Sequence, residues 1–202
     1  METRGPLAAL RRFVRPPRTQ ERCELCGLEL RPEHEHLLEL ATRRLACSCD
    51  ACAVLFSGQQ NGRFRRVPRR VQLLPDFQLT DAQWENLHVP ISLAFFYESS
   101  VAGHVVALYP SPAGVTESLL TLEAWQELVD ANPALRDLEP DVEALLVNRV
   151  GQARDYYRVS IDECFALAGL IRTHWRGLSG GTAVWEEIGR FFSRLKGSAC
   201  LT

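Results

Sequence analysis

Several features that are common in chains of this size are missing from the sequence. Its 23 basic residues include one lysine, Lys196, so the positive charge is almost wholly arginine. No apolar run approaches the roughly 20 residues that a membrane-spanning helix needs, which excludes such a helix. The apolar patch at residues 7–10 is too short for the core of a signal peptide. We therefore expect a cytoplasmic location, where thiols stay reduced and are available to bind metal.

Motifs for nucleotide binding and nucleophilic catalysis are also missing. The sequence has no Gly-x-x-x-x-Gly-Lys-Ser/Thr loop, no Gly-x-Gly-x-x-Gly after a strand and no Gly-x-Ser-x-Gly elbow. Two stretches, residues 109–118 and 175–181, have the composition of binding loops. Without such a motif we expect them simply to connect structural elements. Cys164 is predicted to be a core residue of a helix, and Cys200 to be incidental.

The net charge of −2 conceals an uneven distribution. Residues 1–70 contain fourteen arginines and eight acidic residues, whereas residues 71–202 contain nine basic and seventeen acidic residues. A basic N-terminal part is suited to nucleic acid or an acidic protein surface, or to packing on its own chain. The Arg63–Val67 alternation favours a charged edge strand over a nucleic-acid track, because no row of aromatics accompanies it for base stacking.

Five of the seven cysteines fall within thirty residues of one another. Cys23-x-x-Cys26 and Cys49-x-x-Cys52 form two pairs separated by 22 residues. Two such pairs can bring four thiolates to one tetrahedral metal ion, with bonds of about 2.3 Å. The predicted metal ligands are Cys23, Cys26, Cys49 and Cys52, with Cys47, His34 and His36 as candidate substitutes.

The spacing of the cysteines does not identify the metal. A structural Zn²⁺ is the preferred cofactor, because closed sites of four thiolates are mostly structural. The alternative is an iron–sulfur cluster, which also takes four cysteines and would be redox-active. Cys47 supplies an additional thiol that keeps this alternative open.

Residues 21–57 are predicted to form a small metal-binding module at the N-terminal end. Gly27 provides the tight turn after the first cysteine pair. A helix starting near Ala53 would make the module a treble clef, and a strand there would make it a zinc ribbon. So few residues bury too little surface to fold unaided, so metal binding is expected to supply the folding energy. The expected apolar core of the module is Leu28, Leu30, Leu37, Leu38 and Leu40.

The rest of the chain predicts an α+β fold. We expect a basic arm over residues 1–20 and a domain over residues 63–197, mainly an antiparallel sheet with packed C-terminal helices. The apolar runs Ile91–Tyr97 and His104–Tyr109 predict a hairpin, and residues 142–150 and 156–161 predict a second pair of strands. Thr121 and Asp162 are predicted to cap helices, and residues 184–195 to form a final amphipathic helix.

Residues 23–56 resemble HNH-type endonucleases of the treble-clef group, which combine a cysteine pair, a histidine-rich hairpin strand and a second cysteine pair. The resemblance implies that His34 or His36 activates water beside a second metal ion. However, Ala53 stands where that family commonly has asparagine, and no histidine follows within the predicted helix. Nuclease activity is therefore the third and least favoured hypothesis.

A second resemblance covers almost the whole chain. Its motifs are Glu21–Gly27, Glu35–Leu38, Arg43–Cys47, Tyr109–Gly114 and Trp175–Gly181. With these motifs, residues 20–197 or so resemble a bacterial family called domain of unknown function 5947. The resemblance implies an accessory or assembly role, since members are often encoded near genes for [NiFe] hydrogenases and iron–sulfur proteins. It implies no catalytic residue.

Together these features favour a protein without enzymatic activity. The leading hypothesis is a metal-stapled accessory protein that binds a protein partner, during maturation of a redox metalloenzyme such as a [NiFe] hydrogenase. An iron–sulfur redox carrier is the alternative. Nucleic acid is a less favoured partner, through the basic residues 1–70, and no membrane span is expected.

Overall fold

The computed structural model describes residues 21–57, 62–119, 121–177 and 180–201. The predicted arm over residues 1–20 lies outside the described residues. Two sheets and five helices form the described part of the chain. The predicted α+β class, with a mainly antiparallel sheet and C-terminal helices, is confirmed. None of the described helices combines the length and the apolar character that crossing a membrane requires.

The smaller sheet belongs to the cysteine-rich region. It has three antiparallel strands in the order β2-β1-β3. These are β1 (Glu35–Glu39), β2 (Arg44–Ser48) and β3 (Phe64–Arg66), with helix α1 (Asp50–Ser57) between β2 and β3. The predicted edge strand at residues 63–67 is thus observed as β3. It lies at the edge of the smaller sheet, although its residues were predicted to belong to the domain over residues 63–197.

The larger sheet has seven strands in the order β10-β4-β9-β8-β5-β6-β7. All neighbouring pairs are antiparallel except β10 with β4. The strands are β4 (Val71–Leu73), β5 (Leu93–Ser99), β6 (His104–Ser111), β7 (Gly114–Glu117), β8 (Glu143–Asn148), β9 (Asp155–Ser160) and β10 (Cys200–Leu201). The two predicted strand pairs are therefore confirmed as β5–β6 and β8–β9.

The sequence prediction missed strand β7. Residues 109–116 have no regular periodicity and were predicted to form a loop, yet Pro110 lies within β6 and pairs with Val115. The last residue of β6 paired with β5 is Leu108. Pro110 lies beyond this last pair, so its lack of an N–H group removes no ladder hydrogen bond to β5.

Helices cover both faces of the larger sheet. Successive residues of β5 show this: Leu93, Phe95 and Tyr97 belong to one buried core, and Ala94 and Phe96 to the other. The first core lies against α4 (Ile161–His174) and α5 (Gly181–Ser198). The second lies against α3 (Leu122–Ala131) and the 3₁₀ helix Pro133–Asp137. A short helix, α2 (Asp81–Asn86), precedes β5.

The helix caps agree with the sequence prediction in one case and differ in the other. Thr121 caps α3, and its side chain accepts a hydrogen bond from the backbone N–H of Ala124. Asp162 was predicted to cap the next helix, but the N-cap residue of α4 is Ser160. Asp162 lies in the first turn instead, where its carboxylate pairs with His36 of the smaller sheet.

The smaller sheet packs against the larger part of the molecule. Leu38 of β1 and Val67 belong to the same buried core as α4 and α5. Arg65 of β3 makes an ion pair with the buried Asp141, next to β8. This packing brings the cysteine-rich region and the start of α4 into direct contact.

Candidate metal centre

The first cysteine pair lies in a tight backbone turn. The N–H of Cys23 donates to the carbonyl of Leu28, and the N–H of Gly27 donates to the carbonyl of Cys23. Gly27 has a φ of 79°, in the left-handed region that glycine adopts without strain. The predicted glycine turn is confirmed, and it points Cys23 and Cys26 toward one side.

The second pair lies where strand β2 passes into helix α1. Cys49 stands between the last residue of β2 and the first residue of α1, and Cys52 lies in the first turn of that helix. A helix, and not a strand, therefore carries the second pair. The order of knuckle, hairpin and helix is the one expected for the treble-clef alternative.

The four predicted cysteine ligands meet at one point. Their Sγ atoms all lie within 4.8 Å of one another, and those of Cys26 and Cys49 are 3.7 Å apart. A tetrahedron with metal–sulfur bonds of about 2.3 Å has edges of about 3.8 Å, so the arrangement fits a single ion. An iron–sulfur cluster distributes its four cysteines over two or more irons, so the four sulfurs as a group are spread more widely. The group consists of Cys23, Cys26, Cys49 and Cys52.

The surroundings of these thiols affect their acidity in opposite directions. Burial raises the pKa of Cys23, but hydrogen bonds from the backbone at Cys49, Cys26 and Leu25 outweigh it, and the pKa falls to about 6. Burial, together with the neighbouring thiols, raises the pKa of Cys52 to about 12. Without a cation, the cluster therefore holds some of its thiols protonated. A metal ion is needed before all four can be thiolates.

Little apolar packing supports the cysteine cluster. Among the described residues, the hydrophobic side chains packed against buried Cys23, Cys49 and Cys52 are the partly buried Leu25, Leu30 and Phe56. The core predicted from five leucines is wrong in part. Leu28 is 59% exposed, Leu37 packs under α1, and Leu38 belongs to the core of the larger sheet. The cysteine-rich turn therefore has little core of its own, and a metal ion at the four cysteines would be needed to stabilise it.

The three candidate substitute ligands lie together in a separate group. One ligand atom each from His34, His36 and Cys47 lies within 4.8 Å of the other two. Cys47 thus stands outside the group of four sulfurs, beside the histidines. The sequence suggested these residues as replacements for a cysteine ligand, and the fold gives them a location of their own.

Ion pairs engage the basic residues of the N-terminal part. Each of the nine arginines within residues 21–57 and 62–70 lies within 3.5 Å of a carboxylate oxygen. Some of these acids are buried, such as Glu35, where the hydrogen bond from Arg66 lowers the pKa. Glu143 is also buried, between Arg70 and Arg158. These nine arginines, called the arginine run below, thus pair with acidic residues of their own chain.

The two predicted loops approach each other across the molecule. Tyr109 and Pro112 from one, and Trp175 from the other, line an apolar cavity of about 440 Å³ together with Trp185 and Ile188 of α5. Cys164 is fully buried in α4, as predicted for a core residue. The side chain of Cys200 lies outside what the structure describes.

The sequence did not indicate Asp162 as a residue of this region. Asp162 Oδ2 lies 2.7 Å from His36 Nδ1, although 126 positions separate the two residues in the chain. Asp162 resembled a helix cap by its position alone, and the sequence around His36 contains no signal for a distant partner. Only the packing of the smaller sheet on α4 creates the pair.

Comparison with known proteins identifies the family but no relative of known activity. Searches of curated proteins and of solved structures each found no significant match. A family model, described as a family of unknown function, DUF5947, matches residues 22–199. The match includes the four-cysteine site, the smaller sheet and all strands of the larger sheet except β10. The chain therefore belongs to the family of unknown function DUF5947.

Proposed function

We propose that this chain is a non-enzymatic protein that binds a protein partner. A structural Zn²⁺ at the four cysteines, called the zinc staple below, would stabilise its N-terminal module. In this proposal the protein acts in the cytoplasm and assists the assembly of a redox metalloenzyme, such as a [NiFe] hydrogenase. The observation that carries the proposal is the convergence of four cysteine sulfurs on one point. Four thiolates complete the tetrahedral shell of Zn²⁺, so such an ion has no open position for a substrate. Its role would be to hold the module in shape.

An exposed apolar face beside the staple supports a role in protein binding. Ala51, Val54 and Leu55 share one face of α1, and the last two are 68% and 64% exposed. Ala51 also lines a cavity of about 310 Å³ together with Leu28 and Leu30. The apolar surface thus continues from the helix onto the first knuckle.

Polar side chains border this apolar face. Arg31 and Asp50 form an ion pair of 3.2 Å at its margin, and Glu29 and Glu33 line the same cavity. An apolar patch with a polar rim is typical of a protein-binding surface. The matching partner would present an apolar side chain or helix face, with charges at its edge that complement this rim.

The ion pairs of the arginine run favour a protein over nucleic acid as the partner. Arginines that neutralise phosphates need to be available to the solvent side of the protein. Arg63, Arg66 and Arg70 instead pair with Glu39, Glu35 and Glu143. Exchanging these contacts for phosphates would leave buried carboxylates without a partner.

The first experiment identifies the staple. The chain is purified anaerobically, dialysed against a weak chelator, and examined by elemental analysis and absorbance spectroscopy. We expect one tightly held zinc per chain and a colourless protein. Iron, inorganic sulfide and visible absorbance would contradict the zinc staple and favour the iron–sulfur carrier. Plasmid cleavage with divalent metals, lost in His34→Ala, would favour the nuclease.

The second experiment tests the protein-binding face. The wild-type chain and a Val54→Asp, Leu55→Asp variant are used in quantitative affinity purification against metalloenzyme-assembly proteins. We expect the variant to lose its partner while keeping one zinc per chain. Leu119→Asp is the matched control, because Leu119 is 89% exposed and lies outside this face. Equal recovery with all three chains would refute the proposed surface.

A further inference from the structure

Strand pairing in the smaller sheet assembles a group of two histidines and one cysteine. His36 of β1 lies directly opposite Cys47 of β2 in the antiparallel register. His34 comes two positions before His36, which places it on the same side of the chain where the strand begins. The two imidazole rings meet edge to face, with centroids 5.0 Å apart. Three metal-binding side chains therefore share one location outside the four-cysteine site.

The hydrogen bond of His34 leaves its other ring nitrogen available. Its Nδ1 lies 3.0 Å from the carbonyl oxygen of Arg31, and since a carbonyl only accepts, Nδ1 carries the proton. In the neutral ring, Nε2 therefore bears a lone pair. Nε2 is buried and has no hydrogen-bond partner in the part of the chain that the structure describes, and the side chain is only 8% exposed. A buried polar atom without a partner lowers the stability of the folded state unless a ligand binds to it.

His36 has a matching arrangement, with a carboxylate in place of the carbonyl. Its Nδ1 lies 2.7 Å from Asp162 Oδ2, which again leaves Nε2 as the free nitrogen of the neutral ring. Metal-bound histidines almost always donate their second N–H to a carboxylate or a backbone carbonyl. Both kinds of support are present here, one behind each histidine.

We propose that His34, His36 and Cys47 form a second metal site, which binds an exchangeable divalent transition-metal ion. Two imidazoles and a thiolate suit Zn²⁺, Co²⁺ or Ni²⁺, whereas Mg²⁺ and Ca²⁺ take oxygen ligands. Asp162 is a positioning residue for His36 rather than a ligand. The site is independent of the protein-binding role proposed above and does not require it.

Three ligands distinguish this site from the zinc staple. A tetrahedral ion held by three side chains keeps one position for water, a small anion or a donor from another protein. His36 is 32% exposed and Cys47 is half-buried, so solvent reaches this side of the group. We therefore expect the ion to bind more weakly than the ion of the four cysteines and to exchange with added metal.

Metal stoichiometry tests the second site. The wild-type chain is treated with a weak chelator, so that one ion remains per chain, and Co²⁺ is then added with optical detection. We expect one further Co²⁺ per chain, with tetrahedral d–d bands and sulfur-to-cobalt charge transfer in the difference spectrum. His34→Ala and Cys47→Ala should each abolish this binding while keeping the first ion. His104→Ala is the control, because His104 is an exposed histidine distant from the site in sequence.

A positioning variant keeps the test independent of any folding defect. Asp162→Asn removes the carboxylate behind His36 but leaves all three ligands, so the stoichiometry should stay at one added ion. The affinity for that ion, measured by competition with a chromophoric chelator, should fall about ten- to a hundredfold. Absence of added Co²⁺ in the wild type, or unchanged binding in Cys47→Ala, would overturn the second site. Loss of the first ion alone would count against the zinc staple and not against this site.

Discussion

Arg65 Nε lies 3.2 Å from Asp141 Oδ2, and this contact joins the smaller sheet to the larger one. The Asp141 side chain is 4% exposed. The backbone of Asp141 has a φ of 68°, in the left-handed region. Its Oδ1 accepts a hydrogen bond from the backbone N–H of Ser100, while its Oδ2 makes the ion pair with Arg65 and has no hydrogen-bond partner among the described residues. A residue from the arginine run therefore neutralises a buried carboxylate beside β8.

Arg65→Ala is expected to destabilise the protein. The substitution leaves the carboxylate of Asp141 buried beside no cation, at a cost of about 1–3 kcal/mol in the free energy of unfolding. Urea denaturation monitored by tryptophan fluorescence measures this change. Arg136→Ala is the control, since Arg136 and Asp130 pair at 3.6 Å with both side chains largely exposed. Such surface pairs contribute little, so equal losses in the two variants would contradict the role of Arg65.

Removal of the metal ion proposed at the four cysteines should unfold the cysteine knuckles and spare the larger sheet. The cluster has little apolar packing of its own, whereas β5, β8 and β9 lie between two buried cores. Limited proteolysis after treatment with a strong chelator should therefore cut first within residues 21–57. Hydrogen exchange should remain slow in β5 and β8. Cleavage that starts in the larger sheet would show that its stability depends on the metal.

Gly180→Ala should be strongly destabilising. Gly180 precedes α5 with a φ of 85°, and a Cβ there would lie 2.8 Å from Val184 Cγ1 and 3.1 Å from the Trp175 ring. Left-handed strain and the clash together should cost about 2–4 kcal/mol, seen as a lower Tm. Gly189→Ala is the matched control. Gly189 is an exposed residue inside α5 with nothing near the added Cβ, so alanine should raise the stability by up to about 1 kcal/mol.

Cys164 should resist alkylation in the native protein across the pH range of ordinary thiols. Burial raises the pKa of the Cys164 thiol well above its usual value, and the nearby carboxylates of Asp162 and Glu163 add to the effect. Because the thiolate is the reactive form, iodoacetamide should leave Cys164 unmodified between about pH 7 and 9. Mass spectrometry should detect modification only after denaturation. Exposed Cys26 in metal-free protein is the positive control.

Local patterns predicted the elements whose signals lie within a few residues. Alternating apolar residues indicated β5 and β6, and Thr121 indicated the start of α3. Strand β7 was missed because residues 109–116 show no regular periodicity. Whether a proline such as Pro110 interrupts a sheet depends on where the pairing with the neighbouring strand ends, and no local pattern contains that information.

The sequence by itself determined the four-cysteine site. The two Cys-x-x-Cys pairs have a spacing that one tetrahedral ion can satisfy, and Gly27 allows the turn between Cys23 and the hairpin. These are short-range constraints, because each pair is set by the backbone within a few residues. The grouping of the four cysteines could therefore be predicted without knowing how the rest of the chain folds.

Tertiary structure alone decided the surroundings of His34, His36 and Cys47. The register of β1 against β2 places Cys47 opposite His36, and the packing of the smaller sheet on α4 brings Asp162 to His36. The same packing gives Arg65 its buried partner. Such contacts join residues far apart in the chain, and they form because apolar residues such as Leu38 and Val67 are buried together with α4 and α5.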